Sequence, residues 1–562
     1  MLIRTSLALA SYAATASATR GHRQYRKHGA STNDALLTDI DVISQYWGQI
    51  APYQDNNDRH FGVEDVGLPD GCQIEQAHTL QRHAQRFPID QYDDGANDER
   101  FAAKVLNFSS THSHASFSGP LKFLNSYQYQ MGESYLTGLG AATEFESGVN
   151  FWNRYGRILY DAVPGQLQYN ATYQNSTARP KPVLRTTSQS RMRDSEISWA
   201  LGFFGPSFYA EPMPSLDNFV NGSLFDVVVI SEEGTENNTL ASYISCFEES
   251  LLPYYGDEYL FFEYVPLYIC NATARLNHYA PEGFRFNDND TYAMQSICAY
   301  EHAYIGMSDF CNFFTEDEWA AFEQTLDMEY YYDYGFGHPT GRAQGLGYQQ
   351  ELLARLTNQY ITTSNSSVNS TLTDNPSTFP LARPFYADFT HDDIIVSVLA
   401  SMSLDYFHSP PSLTTYPPDP DRPFILSNLT PFGARLITEV IGCADPDPET
   451  VHNHRTQYYP TQYGYDASNA PHKFIRMRLN NGILPLETIR GGACEGRTDG
   501  MCGMEDFLAS QYEAEKLANY QFACFANYTI VDPVDGRDFD GTVNNGTNGI
   551  KIGEGQITAD DV

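Results

Sequence analysis

Apolar positions along the chain form short runs that hand over to helical stripes, and three such junctions stand out. Residues 73–80 read as a short buried strand running into Arg82-His83-Ala84-Gln85-Arg86-Phe87-Pro88, where the proline stops regular structure. A second apolar run ends at Arg185, and Met192, Ile197, Ala200, Leu201 and Phe204 then recur at helical spacing, with Ser188 or Ser190 placed to cap that helix. In the third junction, residues 385–389 read as a strand, and Ile394, Ile395, Val398, Leu399 and Met402 share one helix face. His391 and Asp392 lie between the two, although a carboxylate at 392 or 393 can also serve as a plain helix cap.

The remaining pattern is looser. Residues 362–377 are rich in Ser, Asn and Thr, residues 408–423 hold six prolines, and from 532 onward Gly, Asp and Asn dominate. These read as irregular segments, the last as a loose tail over 531–562. Asp535, Asp538 and Asp540 lack the glutamate that closes a calcium loop, so they read as solvated turn residues. The mild apolar run 6–14 follows Arg4 and precedes Ala16-Ser17-Ala18, which reads as a signal peptide in a leader spanning 1–45. No stretch approaches the ~20 apolar residues of a membrane span.

Composition narrows the class. The 562 residues carry a formal net charge of −36, and only seven of the 34 cations are lysines, which argues against nucleic acid or anionic lipid as the partner. A hydrophobic content of 41% supports a sizeable core. Nine cysteines without a C-x-x-C pair, together with twelve N-x-S/T sequons, describe a secreted, disulfide-bonded glycoprotein rather than a zinc or redox protein. The short span from Cys494 to Cys502 suits a local disulfide, and the odd total leaves one cysteine over.

The three junctions share a chemistry. Ligands of open α/β sheets bind at the carboxyl ends of strands, where helix N-termini also point. Here those ends supply Arg82, Arg86 and Arg185, His83 and His391, and Asp392. Arginine forks match tetrahedral oxyanions and keep their charge, a histidine can attack phosphorus, and a carboxylic acid can protonate the departing alkoxide. The set reads as phosphoryl transfer without a metal or cofactor.

At these residues the chain resembles the histidine acid phosphatases, in particular the secreted fungal acid phosphatases and phytases. Their R-H-G-x-R-x-P signature corresponds to Arg82-His83-Ala84-Gln85-Arg86-Phe87-Pro88, and their H-D pair to His391-Asp392. Further likeness lies in Tyr46-Trp47-Gly48-Gln49, Phe314-Thr315-Glu316-Asp317-Glu318-Trp319, Gln344-Gly345-Leu346-Gly347-Tyr348 and Phe385-Tyr386-Ala387-Asp388-Phe389. It extends over residues 47–527. The resemblance implies an α/β fold, a sandwich around a mixed sheet within 46–530, with a smaller inserted all-α cap from about 90–125 and 240–375. It implies His83 as the nucleophile of a phosphohistidine intermediate and Asp392 as proton donor and later base. Arg82, Arg86, Arg185 and His391 would bind the phosphoryl group. It also implies disulfides Cys72–Cys443, Cys246–Cys524, Cys298–Cys311 and Cys494–Cys502, leaving Cys270 free.

The expected activity is a secreted, metal-independent acid phosphomonoesterase for small phosphate monoesters. The alternative is a 3-phytase acting on inositol hexakisphosphate, and a non-catalytic glycoprotein binding module is a third reading. An intact catalytic set speaks against the module, and the sequons, the cysteines and the H-D acid speak against a cofactor-dependent phosphoglycerate mutase. Two departures matter. Ala84 replaces the family glycine, which would cost about 1–2 kcal/mol if a positive φ were required. Asp90, Asp93, Asp94, Asp98 and Glu99 stand where phytases carry lysines, and acids at the pocket rim would repel a polyanion. His338 and the tyrosine run from Tyr330 read as structural, and Asp393 as a helix cap.

Overall fold

The computed structural model describes residues 35–205, 224–530, 539–543 and 550–552, apart from positions 90, 92–93, 113, 164, 167–168, 174, 235, 250 and 253. The signal-peptide run therefore lies outside the described residues, as do Asp90, Asp93, Asp535 and Asp538.

Eight strands form one mixed sheet: β1 (Cys72–Arg82), β2 (Val183–Thr187), β3 (Asp226–Ile230), β4 (Phe385–Thr390), β5 (Arg435–Cys443), β6 (His472–Leu479), β7 (Gly482–Ile483) and β8 (Met501–Gly503). The order is β3-β2-β4-β1-β5-β6-β7, with β8 also on β6. The four strands from β3 to β1 run parallel, and the sheet turns antiparallel from β5 onward.

Both faces are covered, so side chains of either parity are buried along β4 and β5. Ala77, Leu184, Phe385, Ala387, Phe389 and Ile437 enter one core. Beneath them lie helices α1 (Gly138–Phe151) and α2 (Ser190–Phe204). Leu80, Val228, Leu436, Val440 and Met477 point the other way, as the two-residue period requires. That second core takes in α3 (Asp288–Ile305), α4 (Glu316–Tyr334) and α5 (Asp392–Ser401).

Helices α1 and α2 touch backbone to backbone because each puts a glycine at the crossing. A Cβ on Gly148 would lie 2.0 Å from the Trp199 carbonyl oxygen, and one on Gly202 2.0 Å from that of Phe145. Gly148→Ala is expected to cost about 1–3 kcal/mol in denaturant-unfolding stability through this overpacking.

Four disulfides close: Cys72–Cys443, Cys246–Cys524, Cys298–Cys311 and Cys494–Cys502, with Cys270 free and exposed. The first joins register partners at one end of the β1–β5 ladder. The edges differ from the sequence reading in two places. Within the leader expected over 1–45, Ile43 is fully buried and Leu37 N donates to the Phe314 carbonyl. Within the expected tail, Asp540 accepts from Arg490 and from the buried Arg342. No helix among the described residues is long and apolar enough to cross a membrane.

Candidate active site

Strands β1 and β4 are adjacent and parallel, with Arg82 opposite Thr390 in register. Their carboxyl ends therefore release the two signature segments side by side. The junction is pinned by His83 N donating to the Thr390 carbonyl (3.2 Å), Arg82 N to that of Ala434 (2.8 Å) and Gly433 N to that of His83 (3.0 Å).

His83 is 1% exposed, and its Nδ1 lies 2.9 Å from the Ala84 carbonyl oxygen. A carbonyl can only accept, so Nδ1 carries the proton and Nε2 keeps its lone pair. Burial, and then Arg82, Arg191 and Arg86, hold this imidazole well below its ordinary pKa. It therefore stays neutral in acid where an exposed histidine would be cationic.

The arginines are held by different groups. Arg82 is fully buried; it donates to the Gln49 and Thr430 carbonyls, and its Nη2 lies 2.5 Å from Asp392 Oδ2. Phe432 packs 4.6 Å from its guanidinium carbon. Arg86 is clamped by Asp94 at 2.7 Å, and Asp94 in turn accepts from the Tyr300 hydroxyl. Arg191 occupies the first turn of α2; its Nε is buried without a hydrogen-bond partner, and burial together with Arg86 lowers its pKa.

His391 caps α5 in extended backbone geometry and shares its Nε2 with Glu232 Oε1 at 3.1 Å. Burial alone would raise Glu232, but His391 and hydrogen bonds from Thr187 and Tyr243 bring it down to about 2. Asp392 begins α5 and accepts from the Tyr330 hydroxyl at 2.7 Å. Burial would raise this carboxyl too, yet Arg82 and Arg86 hold it below the usual range.

The structure thus brings together His83, Arg82, Arg86, His391 and Asp392, and relocates one expected ligand. Arg185 sits inside β2, which runs two residues past it, and its fork is closed by Asp388 (2.7 Å) and Glu351 (2.8 Å). The third guanidinium acting on His83 is that of Arg191, six residues downstream in the first turn of α2. Ser188 caps no helix; its hydroxyl accepts from Glu232 N at 2.9 Å. Tyr330, read as packing, reaches the acid of the site. Asp392 and Asp393 lie in the first turn of α5, and burial pushes Asp393 up to about 7. His338 is buried and bonded to Thr340, a structural role.

The acidic stretch also differs from the sequence reading. Asp94 is spent on Arg86, and Asp98 is buried, bonded to Ser296 and pushed well above the carboxylate range by burial. Of the described acids in that stretch only Glu99 is exposed. The charge repulsion expected at the rim is correspondingly weaker.

Ala84 is not among the residues with positive φ, so its methyl carries no backbone strain, and it faces the bare Cα of Gly433. Ala84→Gly is expected to leave kcat on p-nitrophenyl phosphate unchanged while costing about 0.4–1 kcal/mol of stability through unfolded-chain entropy.

Comparison with known proteins identifies relatives over most of the chain. The model of the histidine phosphatase superfamily (branch 2) matches residues 73–480. Phytase A of Aspergillus oryzae is 27% identical over 493 residues, covering 86% of this chain and 91% of its own. Phytase A of Aspergillus awamori is 29% identical over 440 residues, covering 75% and 85%. Among solved structures, the phytase from D. castellii superposes with a TM-score of 0.62 at 21% identity, covering 86% of this chain and 87% of that one. The apo multiple inositol polyphosphate phosphatase of Bifidobacterium longum gives 0.52 at 14% identity, covering 82% and 96%. These two structures share the fold.

Proposed function

Because the chain belongs to branch 2 of the histidine phosphatase superfamily and is a phosphomonoesterase, we propose that it hydrolyses phosphate monoesters through a phosphohistidine on His83. The observation that carries this reading is the state of His83: neutral, with Nδ1 tied to a carbonyl and Nε2 left to attack, among three guanidinium groups.

In the first half-reaction Nε2 bonds to phosphorus, the ester P–O bond breaks, and the electron pair leaves on the alcohol oxygen. Asp392 gives that oxygen its proton. Arg82, Arg86, Arg191 and His391 hold the equatorial oxygens, over which the charge of the transition state is spread. In the second half-reaction the Asp392 carboxylate accepts a proton from water as the water oxygen bonds to phosphorus. The P–N bond then breaks, and phosphate leaves.

Asp392 must be protonated to act first, although Arg82 and Arg86 keep it ionised in the free enzyme. A bound phosphoryl dianion neutralises those arginines and adds negative charge beside the carboxyl, both of which raise its pKa. Turnover is therefore favoured by acid.

The reading extends to a broad acid phosphatase acting outside the cell, with the segments 90–125 and 240–375 as the cap over the pocket. Four disulfides fit that compartment. Phytate hydrolysis is the second reading, supported by the phytase relatives and by the burial of Asp94 and Asp98. Side-by-side turnover of p-nitrophenyl phosphate and phytate, from acid to neutral pH with chelator present, tests both. Acid-favoured turnover that survives chelation is expected. The substrate ratio separates phosphatase from phytase, and no turnover of either by folded protein contradicts the proposal.

A further inference from the structure

Behind strands β5 and β6, on the side covered by α1, lies a cavity of about 1150 Å³. None of Arg82, His83, Arg86, Arg191, His391 or Asp392 lines it. Its floor follows from register. Arg435 and Glu439 alternate along one face of β5, while Arg476 and Arg478 occupy the same face of β6, with Glu439 opposite Arg476.

The charges there do not balance. Six arginines line the cavity against three carboxylates, Asp55, Asp58 and Glu439, and among the described residues only Arg455 finds a further one, Asp70, outside the lining, in a chain whose net charge is −36. Glu439 takes Arg476 Nε at 2.6 Å and Arg478 Nε at 2.9 Å, and Asp58 takes Arg478 Nη1 at 2.6 Å. That leaves Arg476 Nη1 buried and unpartnered. Arg435 is 4% exposed and its guanidinium lies 3.9 Å from the centre of the Tyr53 ring. Among the described residues no hydrogen bond from the guanidinium is found, and its Nε is buried without a partner. Nearby Glu144 is pushed well above the carboxylate range by burial, which outweighs the opposing pull of Arg435.

A buried cation without an anion is costly to a fold, and several neutral side chains would fill the same space at less cost. The unfilled fork on Arg435 has the geometry and charge of an oxyanion receptor. We propose that this cavity is a second, non-catalytic binding site for a tetrahedral oxyanion, either free phosphate or a phosphate group of an ester, with Arg435 as its anchor. The volume exceeds what one phosphate ion fills, and therefore admits a phosphorylated polyol as well.

Calorimetric titration of the full chain carrying His83→Ala, which stops turnover, tests the assignment with inorganic phosphate and with myo-inositol hexasulfate. Two classes of site are expected. Adding Arg435→Gln is expected to weaken one class by at least about tenfold, the effect of losing a charged donor, and to leave the other unchanged. In the otherwise native chain, Arg435→Gln keeps its kcat on p-nitrophenyl phosphate. Saturation by phosphate alone assigns the free ion, and saturation only by hexasulfate assigns an ester-sized polyanion. A single class in the parent, or an unchanged isotherm in Arg435→Gln, overturns the proposal. Crystals of the unmodified chain grown with tungstate give a reading that does not depend on the variant folding. Anomalous density on Arg435 supports the site, and density at His83 only overturns it.

Discussion

Replacing His83 by alanine is expected to lower kcat on any phosphate monoester by about 10⁴-fold or more, the scale on which an enzyme loses its nucleophile. Binding should survive, since the arginines that would hold the phosphoryl group are positioned by other partners: Arg82 by backbone carbonyls and Asp392, and Arg86 by Asp94. KM therefore changes far less than kcat. The neighbourhood of His83 also fixes the pH dependence of the native enzyme. Its pKa is depressed, so the reactive neutral form persists as pH falls through the ordinary histidine range and is lost only further into acid. The acid limb of kcat/KM should accordingly lie well below the usual histidine value. A limb near that value would mean that His83 is exposed to water in solution.

The second large effect is expected for Asp392→Asn, and it depends on the substrate. An alkyl ester needs a proton on its departing oxygen, so loss of the acid should cost about 10²–10⁴ in kcat. p-Nitrophenolate leaves without one, so its departure from phosphorus is spared. Hydrolysis of the phosphoenzyme still lacks its base, and p-nitrophenyl phosphate should then show a burst of phenolate followed by slow turnover. The burst separates a missing acid–base from a damaged pocket. Asparagine keeps the shape around Arg82 and Tyr330 but leaves Arg82 without its counter-charge, and removing one partner of a buried pair costs about 3–5 kcal/mol. Thermal unfolding of the variant should show that loss alongside the burst.

The two signature segments were legible because each couples a chemical motif to a change of hydrophobic period. The strand 73–80 became Cys72–Arg82, and 385–389 became Phe385–Thr390. Arg185 was misplaced because the apolar run before it is short, and the ladder with β3 carries the strand on to Thr187 through residues that look like a turn. A fork in mid-strand is then captured by whatever carboxylate stands beside it, here Asp388 on β4. Arg191 carried the signal all along, as a cation in the first turn of the predicted helix, but its facing toward His83 depends on how α2 docks. Glu232 and Tyr330 are 159 and 62 residues from their partners His391 and Asp392, a distance no local pattern spans. The acids at 94 and 98 looked like solvated charge because burial and pairing are tertiary facts. The cavity on β5–β6 was invisible for a related reason: three separated arginines share a face only once the antiparallel register is known.

The central claim is a covalent bond between phosphorus and His83 Nε2. Mixing enzyme with labelled substrate for a fraction of one turnover and quenching in alkali, where phosphohistidine survives, tests it most directly. Peptide mapping by mass spectrometry should then place the phosphoryl group on His83 in the native protein, with greater accumulation in Asp392→Asn and none in His83→Ala. Turnover without label on His83, or label on another residue, would contradict the account.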